Sequence, residues 1–374
     1  MQSVIPCKTI FVELTNACNF DCTFCPNYLM TRPLGMMDFE LFKKIIADSR
    51  ACGVQRFNLW LMGEPFLHPH CFDFIRYAKE NNMKLSLISN GGVLGQIGFA
   101  DEFFSLPFSG DDDILVSFLT PNSCSFRERK ARGVNFENYQ EGVFKFIGKK
   151  FEKKSSLGII LIYVINIYTD VLKVPGMISS ATEVLDTLSE LSEFAASLKK
   201  ELGIDFSFSM PTLKHMEEEI KSFRERKIEF LPGVFFNLKW LTNWGKVILP
   251  DGLKVVPSRN GYCAYPFESL GILWNGDVTL CCDDYNGELV VGNLKEKTLQ
   301  QVFYSEKASR IRQALKKGIL LMPRCQVCQG KVVDQEGKAL RSYYKKYYLS
   351  RAWRHLRVHG LKKTIKKILA EIKI

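Results

Sequence analysis

Cys18, Cys22 and Cys25 stand in the spacing C-x3-C-x2-C within one short stretch, Cys18-Asn-Phe-Asp-Cys22-Thr-Phe-Cys25. Thiolates so placed select zinc or an iron–sulfur cluster. A structural zinc site closes with four ligands, and no fourth cysteine lies nearby. Three thiolates on a cubane hold three of its irons and leave the last one open to a ligand, so the missing cysteine is itself informative. The competing reading is a zinc site completed by a distant ligand.

Five more cysteines gather near the C-terminal end. Cys263 is followed by twelve residues, Gly276, four residues and Cys281; Cys282 adjoins it, and Cys325-Gln-Val-Cys328 completes the group. On a strand Cys281 and Cys282 point opposite ways, and the G-x4-C spacing favours Cys281. Cys263, Cys281, Cys325 and Cys328 then make one closed site, which suits an iron–sulfur cluster or a zinc ribbon. Cys7, Cys52, Cys71 and Cys124 lack ligand spacing and read as buried or incidental thiols. His68 and His70, beside Glu64-Pro65, read as loop-shaping residues. No Ser-His-Asp set or phosphate-binding glycine loop stands out, and no general acid or base is assigned.

The elements that must hold these residues alternate. Apolar runs at Ile10–Leu14, Arg56–Leu61, Lys84–Ser89, Ile114–Leu119, Gly158–Ile165 and Asp205–Ser209 predict strands. Phe39, Phe42, Ile45 and Ile46 repeat at helical spacing between them, with Asp38 placed to cap the start and Gly53 to end it. Further helices are expected from Asn135 and over Glu183–Lys200. Strands alternating with helices predict a parallel sheet with right-handed crossovers, either an incomplete barrel or an open sheet. From about Pro211 to Gly261 the pattern is irregular and reads as a bridge. Asn275-Gly276-Asp277 between Gly271–Trp274 and Val278–Leu280 predicts a hairpin.

The first cysteine stretch, with the aromatic Phe24 before its last cysteine, resembles the signature of the radical SAM superfamily. Met62-Gly63-Glu64-Pro65 after the second strand is similar to that family's GGEP motif, with Met62 in place of a glycine. Ser89-Asn90-Gly91 ends the third strand like the family's TNG segment, and Ser117 falls on the fourth. In order on successive strands these matches reinforce one another, because barrel active sites gather at strand C-termini. The resemblance covers about residues 5–225. It implies a 4Fe–4S cluster on Cys18, Cys22 and Cys25, with S-adenosylmethionine (SAM) held by Phe24, Met62, Gly63, Glu64, Pro65, Ser89, Asn90, Gly91 and Ser117. It also implies reductive cleavage of SAM to a 5′-deoxyadenosyl radical that abstracts hydrogen. Residues 260–330 resemble the auxiliary-cluster module of the SPASM and twitch subfamilies. That implies a second 4Fe–4S cluster on Cys263, Cys281, Cys325 and Cys328, acting as an electron relay.

The resulting architecture is an α/β partial (β/α)6 TIM-like barrel over 1–225, a bridging segment over 226–262, a cysteine-rich auxiliary-cluster domain over 263–335 and a basic helical tail over 336–374. The chain carries a net charge of +11. From Lys338 onward twelve Lys or Arg face one acid, Glu371, so the charge belongs to the tail. A near-neutral body argues against nucleic acid. Leu361, Ile365, Ile368, Leu369 and Ile372 repeat at helical spacing among lysines, which suits an anionic membrane surface or a helix packed on the body. The N-terminus lacks a secretory pattern, so a reducing cytoplasm is expected, with peripheral contact at the inner membrane face and a flavodoxin or ferredoxin as electron donor. Three functions are carried forward: a radical SAM oxidoreductase, dehydrogenase or epimerase acting on a small molecule, glycan or lipid-linked substrate; a maturase acting on peptide or protein; and a non-catalytic iron–sulfur or zinc protein.

Overall fold

A computed structural model describes residues 4–7, 9–165, 177–204, 211–222, 226–241, 244–249 and 251–339. Its strands are β1 (Thr9–Val12), β2 (Arg56–Leu59), β3 (Lys84–Ser89), β4 (Asp113–Leu119), β5 (Gly158–Ile165), β6 (Arg226–Leu231), β7 (Val234–Trp240), β8 (Lys254–Val256), β9 (Ser269–Ile272), β10 (Asp277–Thr279), β11 (Val290–Asn293) and β12 (Lys331–Val333). Ten of them form one sheet in the order β11-β10-β9-β1-β2-β3-β4-β5-β7-β6, and β12 pairs with β8 separately. From β1 to β5, and on to β7, neighbours run parallel in sequence order. Right-handed crossovers between successive parallel neighbours put the connecting helices on one face of the sheet. The result is an arc of barrel wall with edges at β11 and β6.

The two faces of the sheet explain the apolar runs. Along β5, Ile159, Leu161, Tyr163 and Ile165 pack into the large core under the helices. Ile160, Ile162 and Val164 face the other way and meet Phe24, Leu115, Leu241 and Ile248. A strand buried on both faces has no polar register, and each such side chain contributes roughly 1.5–3 kcal/mol of burial. Helix boundaries follow local chemistry. Asp38 accepts from the N–H groups of Glu40 and Leu41 at the start of Phe39–Ala51, Asn135 caps Phe136–Glu152, and Ser180 forms a capping box with Glu183 at the start of Ala181–Leu202.

Two expectations about the chain's middle and end change. The bridge from Pro211 to Gly261 is not irregular throughout: β6 and β7 form an antiparallel hairpin within it, and β7 lies parallel to β5 as the sixth parallel strand. Phe236 and Leu238 on one face of β7 and Phe235 on the other pack against β5 and its surroundings. Ile228 and Phe230, then Val234, Phe236 and Leu238, alternate at period 2 about Pro232-Gly233, a strand signal that the reading of this stretch as irregular missed. The strand expected at Asp205–Ser209 and the basic tail lie outside the described residues. The C-terminal cysteine-rich stretch also continues the main sheet, because β9 pairs parallel with β1 from Thr9↔Ser269 to Val12↔Ile272. The predicted hairpin then turns through Gly276 at φ 92° into β10.

Candidate functional site

The first cysteine loop leaves β1 and is fixed from both sides. Thr15 Oγ1 donates to Gly35 C=O at 2.7 Å, and Asn16 exchanges hydrogen bonds with Pro33 and Gly35 at 2.9 Å each. On the other side the turn after β2 presses against it, with Glu64 N–H donating to Ala17 C=O at 2.8 Å. Gly63 makes that approach possible. It sits at φ 77°, and a Cβ there would lie 2.4 Å from Thr15 C=O and 2.7 Å from Ala17 C=O. The loop after β3 completes the junction. Glu64 Oε2 accepts from Asn90 N–H at 2.5 Å, Asn90 Nδ2 donates to Asn19 Oδ1 at 2.7 Å, and the same amide reaches Cys18 Sγ at 3.6 Å. Met62 is buried under this turn, and Ser89 Oγ accepts from Gly91 N–H at 3.0 Å. Ser117 lies half-buried on β4, where its carbonyl accepts from the Tyr139 hydroxyl at 3.2 Å. The loop after β1, Met62–Pro65 after β2, Ser89–Gly91 after β3 and Ser117 near the end of β4 thus meet at one end of the parallel sheet, as strand C-termini in such folds do.

Burial dominates the electrostatics of this junction. It pushes the Cys18 thiol up to about 11 and the Cys25 thiol up to about 12. Cys22 is raised as well, and Arg129 opposes that rise. Such thiols stay protonated until a metal ion displaces the proton, which makes loading a proton-releasing step. Glu64, 1% exposed, has its carboxyl pushed up to about 7 by burial, against the pull of its hydrogen bonds from Asn90 and Phe66.

The second cysteine group is drawn from three separate places in the chain. Burial pushes the Cys325 thiol up to about 12, and the neighbouring thiols that add to this are Cys281, Cys263 and Cys328. Cys281 Sγ accepts from Asp283 N–H at 3.3 Å. Cys282 is exposed, and its thiol faces the Asp283 carboxylate at 3.7 Å. A short turn joins this group to the first loop. Trp244 Nε1 donates to Phe24 C=O at 3.1 Å, while Arg324, beside Cys325, donates to Trp244 C=O at 2.5 Å and to Gly245 C=O at 3.1 Å. Lys246 Nζ donates to Cys328 C=O at 2.6 Å. Trp244, Gly245 and Lys246 all have positive φ, at 49°, 62° and 66°, a run that costs backbone energy at the two non-glycine positions.

The donor chemistry fits iron–sulfur clusters at both places. In a cubane each thiolate binds a different iron, so its cysteines need not converge on one point. None of the twelve cysteines is in a disulfide. The family model of the radical SAM superfamily matches residues 12–170, and that of an iron–sulfur cluster-binding (SPASM) domain matches residues 263–329, together more than half of the chain.

The chain belongs to the radical SAM superfamily. Radical SAM domains use a 4Fe–4S cluster and SAM, and SPASM domains bind iron–sulfur clusters of their own. Enzymes of the superfamily draw electrons from a reductant such as flavodoxin or ferredoxin. Similar proteins include a tungsten-containing aldehyde ferredoxin oxidoreductase cofactor-modifying protein of Pyrococcus furiosus, 31% identical over 88 residues. That match covers 23% of this chain and 25% of the relative, so the chain spans about a quarter of that protein's length. Streptococcus suis SuiB bound to its precursor peptide SuiA has the same fold at TM-score 0.52 and 14% identity, over 86% of this chain and 70% of that one. SuiB bound to S-adenosylmethionine gives 0.52 at 15% identity, over 86% and 72%. Among the described residues no helix is long and apolar enough to cross a membrane.

Several residues of this junction carry no local sequence signal. Glu13, 0% exposed, forms a bidentate pair with Arg32 at 2.7 and 2.5 Å and accepts from the N–H groups of Met62 and Trp274. Arg32 Nε also donates to Tyr285 C=O at 2.7 Å. One ion pair therefore ties β1, the turn after β2 and the SPASM hairpin together. Arg129 and Trp244 were equally silent, because each acts on a loop about a hundred residues or more away. The four cysteines outside the two groups are placed as expected: Cys7, Cys52 and Cys71 are buried and Cys124 is exposed. His68 is also buried, with Nε2 3.0 Å from Met37 C=O, and shapes the loop.

Proposed function

We propose that Cys18, Cys22 and Cys25 ligate the cluster at which SAM is cleaved, and that Cys263, Cys281, Cys325 and Cys328 ligate one auxiliary 4Fe–4S cluster. The observation that carries this reading is the Glu64–Asn90–Cys18 chain of contacts, which brings three separate loops to one end of the sheet. A 4Fe–4S cluster held by these cysteines would supply the electron for reductive cleavage of SAM and so for hydrogen abstraction from the substrate. The chain's own residues do the rest. Glu64 and the backbone around Gly63 receive the methionine ammonium group, Ser89–Gly91 and Ser117 border the nucleoside, and Phe24 with the apolar face of β4 and β5 excludes water.

We further read the auxiliary cluster as an electron relay, because four cysteines leave it no open iron and Trp244 ties its loop to the first one. The favoured substrate is a small molecule, glycan or lipid-linked intermediate, oxidised or epimerised. Support comes from the packing of Leu241, Trp244 and Ile248 over the face of β5, an apolar cover that favours a compact substrate over an extended one. A peptide is the second reading, prompted by the precursor peptide on SuiB. The amphipathic tail supports a further reading of peripheral contact with anionic lipid.

Anaerobic reconstitution followed by reduction tests the core of this proposal. About eight irons per chain, as two cubanes require, and formation of 5′-deoxyadenosine are expected. Loss of 5′-deoxyadenosine formation in Cys22→Ala is expected too, and its persistence would refute the assignment. Incubation with deuterated candidate substrates then separates the substrate classes by which of them labels the 5′-deoxyadenosine.

A further inference from the structure

A strip of chain between β4 and the helix Phe136–Glu152 is laced along the first cysteine loop. Thr23 N–H donates to Glu128 C=O at 2.9 Å, Arg132 N–H to Asn19 C=O at 3.3 Å, and Phe20 bridges Ala131 antiparallel. Thr23 Oγ1 adds a bond to the Glu128 carboxylate at 2.9 Å. In the middle of this strip Arg129 turns inward and is 0% exposed. Its guanidinium lies over the rings of Phe20 at 4.6 Å and Tyr139 at 4.9 Å. Nη2 donates to Asn90 C=O at 2.6 Å and Nη1 to Phe118 C=O at 3.4 Å, and the guanidinium lies near enough to the Cys22 thiol for their charges to be felt.

What this surrounding lacks is a full negative charge. Among the described residues no carboxylate lies within ion-pair distance of Arg129. The nearby Glu64 carboxyl, pushed up to about 7 by burial, is only partly ionised at neutral pH and already accepts N–H bonds from Asn90 and Phe66, so it offsets the Arg129 charge only in part. A guanidinium does not lose its proton in a protein, and burying one unpaired costs several kcal/mol. Carbonyls and aromatic faces offset part of that cost but leave the charge uncompensated. Cys22, packed against it, becomes anionic once iron displaces its proton.

We infer that Arg129 is the built-in counter-ion of the first iron–sulfur cluster, and that its charge raises the cluster's reduction potential. Cluster potentials are set by net charge, hydrogen bonds to the sulfurs and exposure. Reduction adds one electron from an external donor to the cluster, with no bond made or broken and no proton moved. A fixed cation beside Cys22 favours that added charge. In this role Arg129 is a positioning and tuning residue rather than a catalytic one. The inference rests on ligation of the cluster by Cys18, Cys22 and Cys25.

The test compares reconstituted full-length wild type, Arg129→Lys and Arg129→Gln by potentiometric titration. It follows the electron-paramagnetic signal that changes on adding SAM, which isolates the first cluster. The Gln variant is expected to keep its cluster but to need a more negative potential, a tenfold or greater loss in the reduction equilibrium, about 59 mV for one electron. The Lys variant, which keeps the charge, should stay within threefold of wild type. An unchanged midpoint in Arg129→Gln overturns the inference, as does a Lys variant displaced as far as the Gln one. If Arg129→Gln takes up no iron, melting of the cluster-free Arg129→Met protein decides. A melting temperature at or above that of cluster-free wild type supports an uncompensated charge, and a large drop marks Arg129 as scaffold only. A SAM-sensitive signal that survives in Cys22→Ala would instead refute the ligand assignment, a separate failure.

Discussion

Glu64 Oε2 accepts the backbone N–H of Asn90 at 2.5 Å, so the carboxylate of one loop fixes the backbone of the next. Asn90 in turn sends its side-chain amide to Cys18 Sγ at 3.6 Å and its carbonyl to Arg129. Glu64, proposed to receive SAM, is thus also a structural clamp in the cluster-free protein. Any effect of mutating it combines both roles.

The clamp has a pH signature. Burial lifts the Glu64 carboxyl from its ordinary 4.5 to about 7. With the folded value above the unfolded one, the stabilising contribution is fully present below about pH 4.5 and is lost as pH rises through about 7. Cluster-free Glu64→Gln should therefore be more stable than cluster-free wild type at pH 8, by up to about 3 kcal/mol, and equal to it near pH 4. Thermal or denaturant melts at the two pH values check this, and equal stability at pH 8 would contradict it. If Glu64 receives the SAM ammonium group as proposed, SAM binding to wild type should weaken below about pH 7, as its carboxylate is protonated.

Gly63 permits the closest approach in the site. Its φ of 77° and the 2.4 Å that would separate an added Cβ from Thr15 C=O leave no room for a methyl group. Gly63→Ala is expected to lose iron from the first site and to melt several degrees lower, through backbone strain of about 1–3 kcal/mol plus the clash. Iron content and circular dichroism melts report the two effects separately.

The Glu13–Arg32 pair is a test of coupling between the barrel wall and the SPASM hairpin. Arg32→Met leaves the Glu13 carboxylate, 0% exposed, without its cation, and should cost about 3–5 kcal/mol. The double variant Glu13→Gln/Arg32→Met should recover most of that loss, since the stranded charge is gone. A double-mutant cycle by urea denaturation measures it, and simple additivity of the two changes would argue against the pair.

Cys281 and Cys282 are neighbours with different surroundings. Cys281 lies near Cys325 and Cys328, while Cys282 is exposed, faces Asp283 and neighbours Cys281 and Cys263. Cys281→Ser should hold about four irons after reconstitution and Cys282→Ser about eight, on cubane stoichiometry. The reverse result would exchange their roles.

Residue order alone made the chemistry legible. Cys18, Cys22 and Cys25 lie within eight residues, and Met62–Pro65 and Ser89–Gly91 follow predicted strands, so their register could be read without coordinates. β1 to β5 were equally legible, because strands buried on both faces leave dense apolar runs and their helices carry local caps such as Asp38 and Ser180. β6 and β7 were legible too, in the period-2 alternation of Ile228 and Phe230 and of Val234, Phe236 and Leu238 about Pro232-Gly233. That β7 pairs parallel with β5 was not, because no local pattern names a strand's partner. Tertiary structure alone decided the partnerships that span the chain: Arg129 under the cysteine loop, Arg32 against Glu13 and the hairpin, and Trp244 between Phe24 and Arg324. Local sequence records spacing along the chain, whereas a buried charge finds its partner only through the fold. The three cysteines therefore indicated what kind of cofactor this protein holds, and packing determined which charge stands beside it.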